Sequence, residues 1–103
     1  WLQTARFHMT SNPFVDSNVR RALQESRVDG GYAGGWIVTK RSWAGGPALT
    51  HAGSNTFWFA VMWIAPTTRR AFAAVANAAG ADVSNGLDRI IGAMISMAGS
   101  TSR

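Results

Sequence analysis

Hydrophobic and polar positions change period along this chain, and the changes divide it into three stretches. From Trp1 to Met9 the apolar residues Trp1, Leu2, Ala5, Phe7 and Met9 fit a short helix that stops before the breaker cluster Thr10-Ser11-Asn12-Pro13. A second helix follows, with Asp16 or Ser17 as its cap, Val19, Ala22 and Leu23 as its apolar stripe, and Arg20, Arg21 and Glu25 toward water. These two make a helical lead-in over residues 1–28, closed by Asp29-Gly30-Gly31.

Residues 32–77 read as strands. Tyr32 to Thr39 centres on Trp36, Ile37 and Val38, with Gly34-Gly35 marking a bulge or a close backbone approach. After a turn over Lys40 to Gly46 come strands at Ala48–His51, Phe57–Ala65 and Ala71–Asn77, the last two joined through Pro66-Thr67-Thr68-Arg69-Arg70, which has hairpin-loop composition. Four sequential strands with short connections predict an antiparallel meander. Every residue from Phe57 to Ala65 is apolar, so both faces of that strand need cover, and a central position is expected.

The third stretch returns to helical spacing: Val83, Leu87, Ile90, Ile91, Met94 and Ile95 form a stripe within a helix over 82–97, with Asp82 as N-cap and Asp88 and Arg89 on the polar side. Gly86, Gly92 and Ala93 suit close packing, and Gly99 to Arg103 reads as a frayed tail. The class is α+β, an antiparallel meander with a C-terminal helix packed on it. One helix covers one face. Leaving Trp58, Met62 and Ile64, or Phe57, Phe59 and Trp63 on the other face, in water would cost about 1.5–3 kcal/mol each, so a further covering segment is expected.

Composition narrows the options. With 103 residues, 47% hydrophobic and 15% charged, the chain supports one small domain and is not of disordered type. It opens at Trp1 in mid-helix pattern, so residues 1–103 are read as a single partial domain of a longer protein. The net charge of +5 comes from basic residues scattered along the chain, without the clustered, aromatic-interleaved stripe of a nucleic-acid surface. A small basic membrane- or RNA-binding domain would betray itself by steep salt dependence. There is no cysteine, which excludes disulfides and thiolate chemistry. The run Phe57–Ala65 is far below the roughly 18 residues of a membrane span.

The candidate chemistry lies at His51-Ala52-Gly53, a strand end that sets an ionisable ring beside a backbone without bulk, where a ligand can lie against main-chain N–H groups. A lone strand-end histidine is ordinarily structural or exposed. His8, near a helix end with no motif around it, is expected to be exposed, and His8 with His51 lacks the further ligands a metal site needs. The tryptophans are expected to be mostly core, with Trp58 available to a pocket mouth.

The longer string His51-Ala52-Gly53-Ser54-Asn55-Thr56-Phe57-Trp58-Phe59-Ala60-Val61-Met62-Trp63-Ile64-Ala65-Pro66, continuing to Ala73-Ala74-Val75-Ala76-Asn77, resembles the C-terminal third of the serine β-lactamase and penicillin-binding-protein-like family, in the branch related to class C β-lactamases and D-Ala-D-Ala carboxypeptidases. The Trp-x-x-x-Ala-Arg-Phe helix at the start and the Gly35-Trp36-Ile37-Val38 strand occur in that family's order, so the resemblance runs from about Trp1 to Ile95. The family carries Ser-x-x-Lys, then Tyr-x-Asn or Ser-x-Asn, then Lys-Thr-Gly on an edge strand, with His-x-Gly replacing the last in many branches. His51-Ala52-Gly53 matches the third motif.

Neither of the first two matches. No Ser-x-x-Lys occurs, the single lysine, Lys40, has no serine three positions earlier, and Tyr32 is followed by Ala33-Gly34. The resemblance therefore implies the C-terminal part of a β-lactamase/transpeptidase-like α/β domain, contributing an edge strand and one wall of an acyl-transfer site. The nucleophile and its lysine would come from the N-terminal portion of the same protein. Within that wall the resemblance gives Ser54 a backbone oxyanion donor role, Gly53 the strand against which substrate aligns, and His51 a bond to substrate carboxylate or tyrosine relay. Asn55 and Trp58 would contact substrate.

The implied substrate is a small molecule or peptide with a carboxyl-derived group, with no cofactor, no metal, no nucleic acid and no membrane span. A histidine is only partly charged near neutral pH, which argues against an efficient β-lactamase and leaves peptidase, esterase and amidase open. The family's usual setting is the periplasm or cell envelope, although cytoplasmic esterase relatives exist. The competing reading is a catalytically inactive penicillin-binding-protein-like module that binds peptides or acts as a sensor.

Overall fold

Gly34 and Gly35 fold the first predicted strand back on itself, so the meander has five strands rather than four. In the computed structural model, which describes residues 2–11 and 14–101, β1 (Gly31–Ala33), β2 (Trp36–Arg41), β3 (Gly46–Ser54), β4 (Phe59–Ala65) and β5 (Arg70–Ala76) form one sheet in chain order. Three α-helices accompany it among those residues: α1 (Leu2–Met9), α2 (Ser17–Ala22) and α3 (Ala81–Thr101). The class is α+β, an antiparallel sheet with the C-terminal helix packed on it. Expectations that fall on Trp1, Asn12, Pro13, Ser102 and Arg103 lie outside the described residues.

The two-residue turn is what Gly34-Gly35 permits. Ala33 pairs with Trp36, and Gly35 holds φ at +91°, a region that L side chains rarely enter. Gly34 is needed for a different reason: an added Cβ would fall 2.7 Å from the Leu23 side chain. The expected close approach is thus met, but the bulge is replaced by a hairpin.

Addition of β1 and β2 on one side makes β3 the third strand of five, which corrects the edge position expected for it. Its pairing with β2 runs from Arg41↔Gly46 to Ile37↔Thr50. β3 continues four residues beyond that last pair and β2 one, so His51 is level with Trp36 and Ala52 to Ser54 overhang β2. The interior strand is locally an edge.

The chain divides into two compact units. The first comprises Trp1–His51 and Trp63–Ala71. Its core has Ala44, Ala48 and Ala65 completely buried, with Trp43 and Trp63 packed against them. The small residues leave room for the two indoles, which meet edge-on at 5.9 Å between centroids, and the Arg41 guanidinium lies 5.4 Å from the centre of the Trp63 ring. A 3₁₀ turn at Ser42–Ala44 delivers Trp43 to this cluster.

α2 departs from its predicted stripe. Asp16 caps it, accepting from Asn18 N at 2.7 Å, but its six residues include none that is buried, and Val19 is exposed. A helix under two turns presents too little face to bury a stripe; Leu23, just past its end, makes the contact by packing on Gly34.

The second unit comprises Ala52–Met62 and Phe72–Arg103. Leu87 and Ile91 are buried, Val83, Met94 and Ile95 half-buried, and Ile90, Asp88 and Arg89 exposed, so the inward stripe of α3 is the predicted one less Ile90. The helix starts earlier than predicted: Ser84 N donates to Gly80 O at 3.0 Å, which makes Gly80 the cap. Asp82 lies in the first turn instead, where its charge suits the positive end of the helix dipole. Gly99, expected in a frayed tail, is helical.

In β4, neighbours of opposite facing are buried together: Val61 with Met62, and Ile64 with Ala65. Met62 and Ile64 are 0% exposed, so the chain itself covers those two, while Phe59 and Trp63 are half-buried. The apolar residues left in water, Phe57 and Trp58, belong to the turn before β4.

Candidate functional site

Strand β3 carries His51, Ala52, Gly53 and Ser54 as its last four residues, and all four are exposed, whereas Ala48 and Leu49 earlier in the strand are fully buried. Alternation places His51 and Gly53 on one face and Ala52 and Ser54 on the other. Nothing lies within 4 Å of the Cβ position at Gly53, so the sheet face is clear of side-chain bulk there. His51 belongs to the first unit, and Gly53, Ser54, Asn55 and Trp58 to the second.

The β3–β4 turn is closed by Asn55. Its Oδ1 accepts from Phe57 N at 3.2 Å and Trp58 N at 2.9 Å, and its own N–H donates to Trp58 O at 3.3 Å. Ser54 Oγ accepts from Thr56 N at 3.2 Å, and Thr56 takes a left-handed φ of 75°. The side-chain oxygens of Ser54 and Asn55 are therefore committed to the turn, which leaves the Ser54 role expected here a main-chain one. Trp58 is half-exposed at the end of that turn.

On the first-unit side the sequence reading missed a residue. His8 is 6% exposed, not solvated as expected from its place near a helix end. α1 turns Ala5 and His8 inward, three residues apart, while Leu2 is exposed. Hydrogen bonds offset the burial: the Trp36 indole Nε1–H donates to His8 Nε2 at 3.0 Å, and the Gln24 amide donates to the His8 carbonyl at 2.8 Å with its nitrogen 3.0 Å from His8 Nδ1.

An indole can only donate, so Nε2 holds the lone pair and the neutral ring carries its proton on Nδ1; the Gln24 nitrogen, itself a donor, then bonds the His8 carbonyl and not the ring. Burial, and secondarily the charge of Arg20, lower the His8 pKa from the ordinary histidine value. Trp36 also meets His51, the two rings lying edge-on at 6.5 Å between centroids. A polar residue at an apolar helical position, three after Ala5, was the one signal in the sequence for His8.

A separate cleft of about 340 Å³ in the first unit is lined by residues 24–29, 38–40 and Pro47, none of them expected site residues. Asp29 borders it and accepts from Lys40 N at 2.7 Å; that bond, and then one from Thr39, hold its carboxyl below the usual aspartate range. Among the described residues no helix is long and apolar enough to cross a membrane. The chain matches no protein-family model, no curated protein and no solved structure.

Proposed function

We propose that this chain is the C-terminal part of a serine hydrolase of the β-lactamase, D-Ala-D-Ala carboxypeptidase or esterase type, and that the end of β3 is one wall of its acyl-transfer site. The observation that carries the reading is the overhang: His51 to Ser54 extend past the last β2–β3 pair, exposed, with no side-chain bulk at Gly53. Such a segment can accept an extended acyl donor by main-chain pairing.

In this reading a serine and lysine of Ser-x-x-Lys come from the N-terminal portion of the protein, and the serine attacks the substrate carbonyl. The Ser54 N–H donates to the developing oxyanion, a contribution of about 2.7–4 kcal/mol for a donor of this kind. Gly53 keeps the approach clear. His51 donates a hydrogen bond to the substrate's carboxyl-derived group, and Trp58 flanks the entrance. The setting that goes with the resemblance is the periplasm or cell envelope.

The test begins with the coding sequence on either side of this segment. Ser-x-x-Lys followed by Tyr-x-Asn or Ser-x-Asn in the N-terminal direction is expected. Their absence from the whole reading frame overturns the catalytic proposal and leaves an inactive peptide-binding or sensor module of the same fold.

A further inference from the structure

We infer that Trp36, anchored by the buried His8, is a positioning residue that fixes the ring of His51 at the end of β3. Three contacts within one unit carry this. The His8 Nε2 acceptor lies 3.0 Å from Trp36 Nε1, with both residues buried. Gln24 ties the His8 main chain from the segment after α2, its amide donating to the His8 carbonyl at 2.8 Å. Trp36 then presents its ring at 85° to His51, with centroids 6.5 Å apart.

His51 is exposed, so little else orders it: a side chain at a strand end in water exchanges rotamers freely unless a rigid neighbour limits it. A buried indole with its one N–H engaged is such a neighbour. Trp36 opens β2, paired with Ala33 on one side and, one step beyond the Ile37↔Thr50 pair, level with His51 on the other. The sequence thus spends a helix residue 43 positions away from His51 on the orientation of that ring. The value of an ordered His51 rests on the acyl-transfer reading above; the ordering itself does not.

Ring-resolved NMR of the full chain tests the ordering without any substrate, so its failure is distinct from failure of the functional reading. The chain has two histidines, so both rings are assignable. Long-range 1H–15N spectra at neutral pH are expected to show His8 as the Nδ1–H tautomer. The His51 ring protons should be displaced from their free-histidine positions by the Trp36 ring current.

His8→Leu removes the acceptor and should speed exchange of the Trp36 indole N–H by about tenfold, the factor that one ordinary hydrogen bond gives. His51 ring shifts should then collapse toward free-histidine values. His8→Gln, which can offer an amide oxygen to the indole, should restore both. A packing role alone would not separate Leu from Gln in the His51 signals. An Nε2–H tautomer at His8, or His51 shifts already at free-histidine values in the unaltered chain, overturns the inference with no variant needed. Unchanged His51 shifts in a folded His8→Leu chain do the same.

Discussion

Replacing Ile64 by alanine tests whether this chain covers the Met62 and Ile64 face of β4 on its own. Ile64 is 0% exposed and sits beside Ala65, also fully buried, and one turn of the strand from Met62. Three carbon groups are lost, each worth about 0.8 kcal/mol of transfer free energy. The residual cavity brings the expected total to about 2–5 kcal/mol.

With a urea dependence of about 1–3 kcal/mol per molar for a domain of this size, the unfolding midpoint should fall by roughly 1–3 M with an unchanged slope. Phe57→Ala is the control, because Phe57 is 74% exposed and its removal should change stability by no more than about 0.5 kcal/mol. An unchanged midpoint for Ile64→Ala, or a larger loss for Phe57→Ala, would refute the burial argument and restore the need for another segment over β4.

Other outcomes follow from the same geometry. Because the folded His8 pKa is lowered, the unfolded chain binds a proton more readily, so stability is full above about pH 6.5 and falls as the pH drops from there toward the folded value; His8→Gln should flatten this part of a urea-midpoint titration. Gly35→Ala forces an L side chain to φ +91° and should cost about 1–2 kcal/mol by thermal or urea unfolding. Gly53→Val should leave the midpoint within about 0.5 kcal/mol, since nothing crowds that position, while reducing acylation of the intact hydrolase. Asn55→Ala removes the acceptor for two turn N–H groups and should cost about 1 kcal/mol, seen as faster amide exchange at Phe57 and Trp58.

The sheet was legible because its strands obey simple rules. The apolar run before Pro66 and the proline turn located β4 and β5 to within two residues, and the α3 stripe emerged from its 3.6-residue spacing. What escaped was decided by contacts at long range. A Gly-Gly pair inside an apolar strand is equally a bulge or a turn until Leu23 is seen packed on Gly34 and Ala33 paired with Trp36. That single hairpin added β1 outside β2, and β3, expected at an edge, is the third strand of five.

His8 escaped for a related reason: its burial depends on an indole 28 positions away, and a histidine carries no local mark of such a partner. At the candidate site, His51 and Gly53 were legible from the motif. The commitment of the Asn55 carbonyl oxygen to the turn was not, because an asparagine after a strand suits a turn and a ligand equally well.

Intact-mass measurement of the protein that contains this chain, after exposure to a penicillin and to an activated acyl ester, tests the central claim most directly. The account predicts an acyl adduct on a serine of Ser-x-x-Lys outside residues 1–103, weakened by His51→Ala and by Gly53→Val. No adduct with either reagent, or an adduct mapped to a residue within this chain, would contradict it.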